Sequence, residues 1–379
     1  MHRFYFLLIT ALFVSLCSCT KQSAGSDVFC RDVYTPRYAK GFTIKGRDDS
    51  RSVVIETLSP WQGESADTAR LLVLRDGDIA PEGFDGSTVS GDVRRIIAMS
   101  STHIAMLDAV EHVDKVKGVS GMSYISNSYI RSHADSIVDV GYDGNVDYER
   151  LMSLQPDIVL IYGTNGASPM EGKLRQLGIP YMYVAEYLEE SPLGKAEWLV
   201  ALAETLGIRD KGIEVFERIP ERYNALRDSV KSLGLKRPRV MINTPYSGSW
   251  FMASTGSYLA TLINDAGGDY VYTADTGTTS QAIDIEEAYM LTADADKWIN
   301  PGTIVSLEQL RQTLPRFADT RPVLNGEVYN TTARVTEGGG NDYWESGAVH
   351  PELVLRDMVK IFHPDLMPDT PFVYYQKLK

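Results

Sequence analysis

Asp157-Ile158-Val159-Leu160-Ile161 is an unbroken apolar run opened by one carboxylate. A strand with one wet face alternates apolar and polar residues. A run without alternation fits a parallel strand covered on both faces. Helices must then flank the sheet, and the neighbouring sequence supplies them. Downstream, Leu174-Arg175-Gln176-Leu177-Gly178 ends a helix at a glycine, and Tyr181-Met182-Tyr183-Val184 is the next strand. Upstream, Arg95-Ile96-Ile97-Ala98-Met99 and Val116 to Val119 read as strands. Between them a helix begins near Ser100-Ser101-Thr102, with apolar positions at Ile104, Leu107, Ala109 and Val110. Repeated βα units predict an α/β lobe over 94–194.

Beyond it the periodicity changes. Ile213, Phe216, Ile219, Tyr223, Leu226, Val230 and Leu233 recur at spacings of three and four, the stripe of one long amphipathic helix. A linking helix is predicted over 195–235, with a kink at Pro220 where a backbone donor is missing. After Pro238 the βα texture returns in Val240-Met241-Ile242, a helix at Tyr258 to Ala266, and Lys297-Trp298-Ile299, giving a second lobe over 236–379. An internal echo supports two related halves. Asp147, Glu149 and Leu154 match Asp284, Glu286 and Leu291; Asp157 and Gly163 match Asp296 and Gly302. Ahead of both lobes, residues 29–93 read as β-rich hairpins packed on the first lobe, from runs such as Ser52-Val53-Val54-Ile55-Glu56 and Leu71-Leu72-Val73-Leu74.

The amino terminus carries an address. Arg3 precedes an apolar run from Phe4 to Leu16 that is too short to span a bilayer. It closes on Leu16-Cys17-Ser18-Cys19, with Leu three residues before Cys19, as a lipoprotein signal peptidase requires. Residues 1–18 are thus expected to be a signal peptide, Cys19 the lipidated residue, and 19–28 a tether. The 37 Lys and Arg stand against 50 Asp and Glu, a net charge of −13, which argues against nucleic-acid binding. Cys30 has no partner left for a disulfide once Cys17 and Cys19 are assigned.

Nucleotide and nucleophile motifs are absent: no G-x-x-x-x-G-K-[ST], G-x-G-x-x-G or G-x-S-x-G occurs. Gly338-Gly339-Gly340 has no lysine after it and reads as a flexible loop. His103, His112, His133, His350 and His363 form no metal-ligand spacing, so no metal site is predicted. Aromatic residues are better placed. Tyr124, Tyr142 and Tyr162 follow strands or turns of the first lobe; Tyr246, Trp250, Tyr343 and Trp344 lie on loops of the second. Strand carboxyl ends border the ligand crevice of open α/β sheets, so these rings are candidates to line one cleft, with Arg131 and Arg334 adding charge.

With these features the chain resembles the solute-binding lipoproteins of ATP-driven importers for iron–siderophores, haem and cobalamin. The resemblance rests on Arg95 to Leu107, on Val116-Lys-Gly-Val-Ser-Gly121, and on Asp139-Val-Gly-Tyr142 followed by Asp147-Tyr-Glu-Arg-Leu151 and Leu154-Gln-Pro-Asp-Ile-Val-Leu160. Pro192 to Trp198, Asn325-Gly-Glu-Val-Tyr329, His350-Pro-Glu-Leu-Val-Leu355 and His363-Pro364 extend it to roughly 94–367, leaving 29–93 as an addition. It implies two lobes braced by one rigid helix with the ligand cleft between them, and Tyr124, Tyr142, Tyr162, Trp250 and Trp344 in that cleft. It further implies a metal chelate as ligand, no cofactor and no catalysis. The implied partners are an ABC permease with its ATPase, docked by one carboxylate per lobe at Glu171 and Glu308. The expected protein is a monomer in the periplasm, lipid-anchored at Cys19. The rival classes are a direct metal- or haem-binding receptor, a chelatase-type enzyme on the same frame, and a surface lipoprotein with no permease.

Overall fold

The computed structural model describes residues 28–379 except 64–66, 143 and 278; the signal peptide, Cys19 and nearly all of the tether lie outside the described residues. The first lobe is a five-stranded sheet of β6 (Ile96–Ala98), β7 (Val116–Val119), β8 (Val138–Asp139), β11 (Ile158–Ile161) and β12 (Tyr181–Tyr183), in the order β12-β11-β6-β7-β8. Every pairing is parallel, and all four residues of β11 are buried, as its unbroken apolar run predicts. Asp157 Oδ2 accepts the backbone N–H of Arg94 and of Arg95, both at 2.8 Å, and sets β11 beside β6. Helices α1 (Ser101–Ala109), α2 (Ser128–Ser132), α3 (Tyr148–Ser153) and α4 (Pro169–Leu177) fill the crossovers. Ser100, Asn127, Asp147 and Ser168 cap their amino ends by accepting backbone N–H groups. A ribbon of β9 (Gly141–Tyr142) and β10 (Asn145–Val146) follows β8.

The second lobe repeats this plan around β13 (Arg239–Ile242), β15 (Asp269–Tyr270), β17 (Lys297–Ile299), β18 (Val328–Asn330) and β19 (Gln376–Lys377), in the order β15-β13-β17-β18-β19. Only β19 runs antiparallel. A ribbon of β14 (Trp250–Met252) and β16 (Gln281–Ile283) and helices α7 (Tyr258–Asp265), α8 (Ile285–Asp294), α9 (Leu307–Thr313), α10 (Arg321–Leu324) and α11 (Pro351–Phe362) complete it. The sequence echo marks equivalent places. Asp284 caps α8 as Asp147 caps α3, and Asp296 accepts the Arg239 N–H at 2.9 Å as Asp157 accepts Arg94 and Arg95.

The predicted helix over 195–235 is two helices. α5 (Pro192–Thr205) is almost wholly buried and packs on α1, so it belongs to the first lobe. The chain then turns at Gly207, with φ of +73°, where Ile208 N–H reaches Ala203 O at 3.0 Å and stops the helix. The link proper is α6 (Arg209–Ser232), packed on α5 and on α11. Pro220 sits buried inside α6 without ending it. Phe216, Ile219, Tyr223 and Val230 of the predicted stripe are buried, whereas Leu233 falls past the helix and is exposed.

The leading segment is one sheet in sequence order: β1 (Arg31–Tyr34), β2 (Phe42–Gly46), β3 (Val53–Leu58), β4 (Thr68–Leu74) and β5 (Ser87–Ser90). Its first four strands are antiparallel, as hairpins require, but β5 pairs with β4 in parallel. Ile44, Val53, Ile55, Leu71, Val73 and Val89 join the core that contains α5. Two carboxylates fasten it. Glu197, fully buried on α5, accepts Tyr34 OH at 2.6 Å and the N–H groups of Arg37, Tyr38 and Ala39 at 2.7–2.8 Å. Glu189 accepts the N–H groups of Lys40 and Gly41 and the Trp198 indole.

Candidate functional site

The carboxyl ends of both parallel sheets carry the predicted rings. Tyr124 ends a short turn after β7 and Tyr142 lies on β9; their centroids are 6.2 Å apart, edge to face, and each is half exposed. Gly121, at φ +66°, leaves room between them, since a Cβ there would lie 2.7 Å from the Tyr142 ring. Tyr162 directly follows β11 and is partly buried. In the second lobe Tyr246 is 74% exposed after β13 and Trp344 58% exposed after β18. Trp250 does not join them. It is 1% exposed, donates its indole N–H to Ile242 O at 2.9 Å, and packs on Trp298 and Phe317. Tyr343 is likewise buried, edge-on to Trp344.

The lobes touch where the glycine run meets the turn bearing Tyr124. A Cβ on Gly338 would overlap Ser123 O, and one on Gly340 would overlap Tyr124 O. Thr336 Oγ1 donates to Ser123 O at 3.2 Å, and Ser126 N–H donates to Glu345 Oε2 at 2.7 Å. Gly338 and Gly340 therefore permit a close backbone approach between lobes, a demand invisible while the loop is read alone. Beside this contact lies a cavity of about 630 Å³ lined by Asp108, Arg131, Arg334, Asp342, Glu345 and His350 among others. Its size suits a bound small molecule. None of the predicted rings lines it, but both predicted arginines do, Arg334 paired with Asp342 at 3.1 Å. Glu345 is 2% exposed, and burial first of all pushes its carboxyl up to about 7. No sequence pattern marked Glu345, because its partners lie in the other lobe.

Deeper between the lobes, at the carboxyl ends of β6 and β12, Thr102 Oγ1 donates to Glu186 Oε1 at 2.5 Å. Lys195 of α5 stands 5.3 Å from the ring centroid of Tyr258, which opens α7 in the second lobe. His103 is fully buried, and burial lowers it to about 3, so its ring is neutral. Among the described residues no three His, Cys, Asp or Glu side chains are grouped to hold a metal ion.

Comparison with known proteins agrees with this two-lobed plan. The structure of a periplasmic heme binding protein from Pseudomonas aeruginosa superposes with a TM-score of 0.55 at 18% identity, covering 72% of this chain and 93% of that one. An uncharacterised lipoprotein of Methanocaldococcus jannaschii is 25% identical over 87% of this chain and 82% of its own. A vitamin B12-binding protein of Vibrio campbellii is 30% identical over 37% of this chain and 50% of its own. The sequence model of the periplasmic binding protein family matches residues 96–335. The chain belongs to that family.

As a periplasmic binding protein it is a member of a family that captures ligands and uses no cofactor. The match begins at β6, so the leading sheet lies outside it. The two carboxylates expected to dock a permease differ in this binding protein. Glu308, in the first turn of α9, is exposed and meets only Gln312 Nε2 at 3.2 Å among the described residues. Glu171, in the first turn of α4, accepts Tyr183 OH at 2.7 Å, Tyr181 OH at 3.0 Å and Arg175 at 2.6 Å, and is only one-fifth exposed. The leading sheet reaches the same region: Trp61 packs on Tyr183, and Gln62 N–H donates to Thr164 O at 2.9 Å. Sequence spacing placed both glutamates at helix starts but gave no sign that one is already saturated.

Proposed function

We propose that this periplasmic binding protein captures a metal chelate, a ferric siderophore or cobalamin, between its lobes and delivers it to an ABC permease driven by its ATPase. Exposed rings on strand-end loops of both lobes, Tyr124 and Tyr142 against Tyr246 and Trp344, carry this reading. Large aromatic surfaces left open on facing lobes suit a bulky guest held by stacking and apolar burial. Arg334 and Tyr162 complete the ligand set. Docking is assigned to Glu308 on the second lobe and Glu171 on the first, where the permease must displace the tyrosine and arginine partners. The protein acts as a monomer, lipid-anchored at Cys19 on the periplasmic side.

Titration of the purified protein with cyanocobalamin, ferrichrome and haemin, read by tryptophan fluorescence and native mass spectrometry, tests the reading. One-to-one binding in the micromolar range or tighter is expected for at least one. Replacing Tyr124 and Trp344 together by Ala should weaken it by tenfold or more. Binding of none, or undiminished affinity in the double variant, refutes the assignment.

A further inference from the structure

Where α5 of the first lobe meets α7 of the second stand polar groups that the fold itself does not use. Lys195 lies on the first turns of α5, beside a helix face that is otherwise buried. Its ammonium makes no hydrogen bond with any described residue; its neighbours are the Tyr258 ring and the charge of Glu186. Glu186 is 3% exposed, and while Oε1 takes the Thr102 hydroxyl, Oε2 is buried with no partner. A fold normally pairs such groups, because an unmet buried donor or acceptor is destabilising and an unmet charge more so. Burial pulls the Lys195 ammonium down and pushes the Glu186 carboxyl up, and each restrains the other's shift.

Position gives the pair a use. Thr102 follows β6 and Glu186 follows β12, both at sheet ends that border the interlobe groove, while Tyr258 comes from the opposite lobe. Lys195 and Tyr258 are deep, yet each keeps part of its surface accessible where the lobes meet. Resting on the reading of that groove as the ligand site, we infer that Lys195 and Glu186 form an anchor for an anionic oxygen, and that the chelate carries a peripheral carboxylate. One such oxygen takes the Lys195 N–H groups, and Glu186 Oε2, which has no other partner, shares a solvent-derived proton with the guest carboxylate. The rings set the size of the guest and this pair sets its charge. Neutral trihydroxamates and cobalamin then rank below carboxylate-bearing chelates.

The test compares ferric dicitrate and haemin, which carry carboxylates, with ferrichrome and cyanocobalamin, which do not. The wild-type protein should bind at least one carboxylate chelate tenfold or more tightly than either neutral one, and Lys195→Gln should lose at least tenfold for that chelate. Haemin dimethyl ester against haemin, on the unaltered protein, repeats the comparison without any substitution and guards against a misfolded variant. Tighter binding of a neutral chelate, an ester as good as the acid, or unchanged affinity in Lys195→Gln overturns the anchor and leaves the cleft reading standing. Binding of no probe overturns both.

Discussion

Glu345 shows how one side chain ties the lobes to pH. Its carboxyl ionises near 7 in the fold but at about 4.3 in an unfolded chain. Between those values the folded protein holds a proton that the unfolded chain has released, so stability falls as pH rises from about 4.5 to about 7 and levels off above it. The full effect is at most about 4 kcal/mol. Glu345→Gln keeps an oxygen for Ser126 N–H and removes the titration. The variant should therefore melt above the wild type at pH 8 and alongside it at pH 5, by thermal unfolding; parallel curves at both pH values refute the assignment. Single residues also mark where sequence reading stops. Trp250 and Trp344 look alike as loop tryptophans, yet one is core and the other open. What separates them is the pairing of Trp250 with Ile283, more than thirty residues away, and no local pattern encodes it.

Elements were legible where one face repeats. The apolar run at 158–161, the Ser100-Ser101-Thr102 start and the stripe of α6 gave a strand, a helix start and the link. Gly207 divides the predicted 195–235 helix, and the periodic stripe from Ile213 onward does not encode that break. The parallel β4–β5 pair was not legible, because hairpin spacing speaks only for antiparallel neighbours. The corner between α5 and α6 depends on a contact that spacing cannot show: a Cβ on Gly212 would sit 2.5 Å from the Ala203 Cβ. Alanine there favours the helix by about 1 kcal/mol but forces the two helices apart, an overpacking cost of about 1–3 kcal/mol. Gly212→Ala should lower stability in urea unfolding by about 1 kcal/mol, and a gain would show that the corner yields freely.

For the whole molecule, the contact between Gly338–Gly340 and Ser123–Tyr124 holds the lobes together on the ring-bearing side. A side chain at Gly340 has backbone on the other side, which cannot swing away. Gly340→Val should open the lobes, raising the radius of gyration in X-ray scattering and weakening chelate binding by about tenfold while α6 stays helical. An unchanged radius would place the closing force elsewhere. The grip of Glu197 on Arg37, Tyr38 and Ala39 reaches about 160 positions along the chain. A ribosome or export channel releases those N–H groups long before it releases their acceptor. The first sheet therefore emerges with its fastening unmade, and must wait, shielded by chaperone or by fast synthesis, until α5 arrives to finish it.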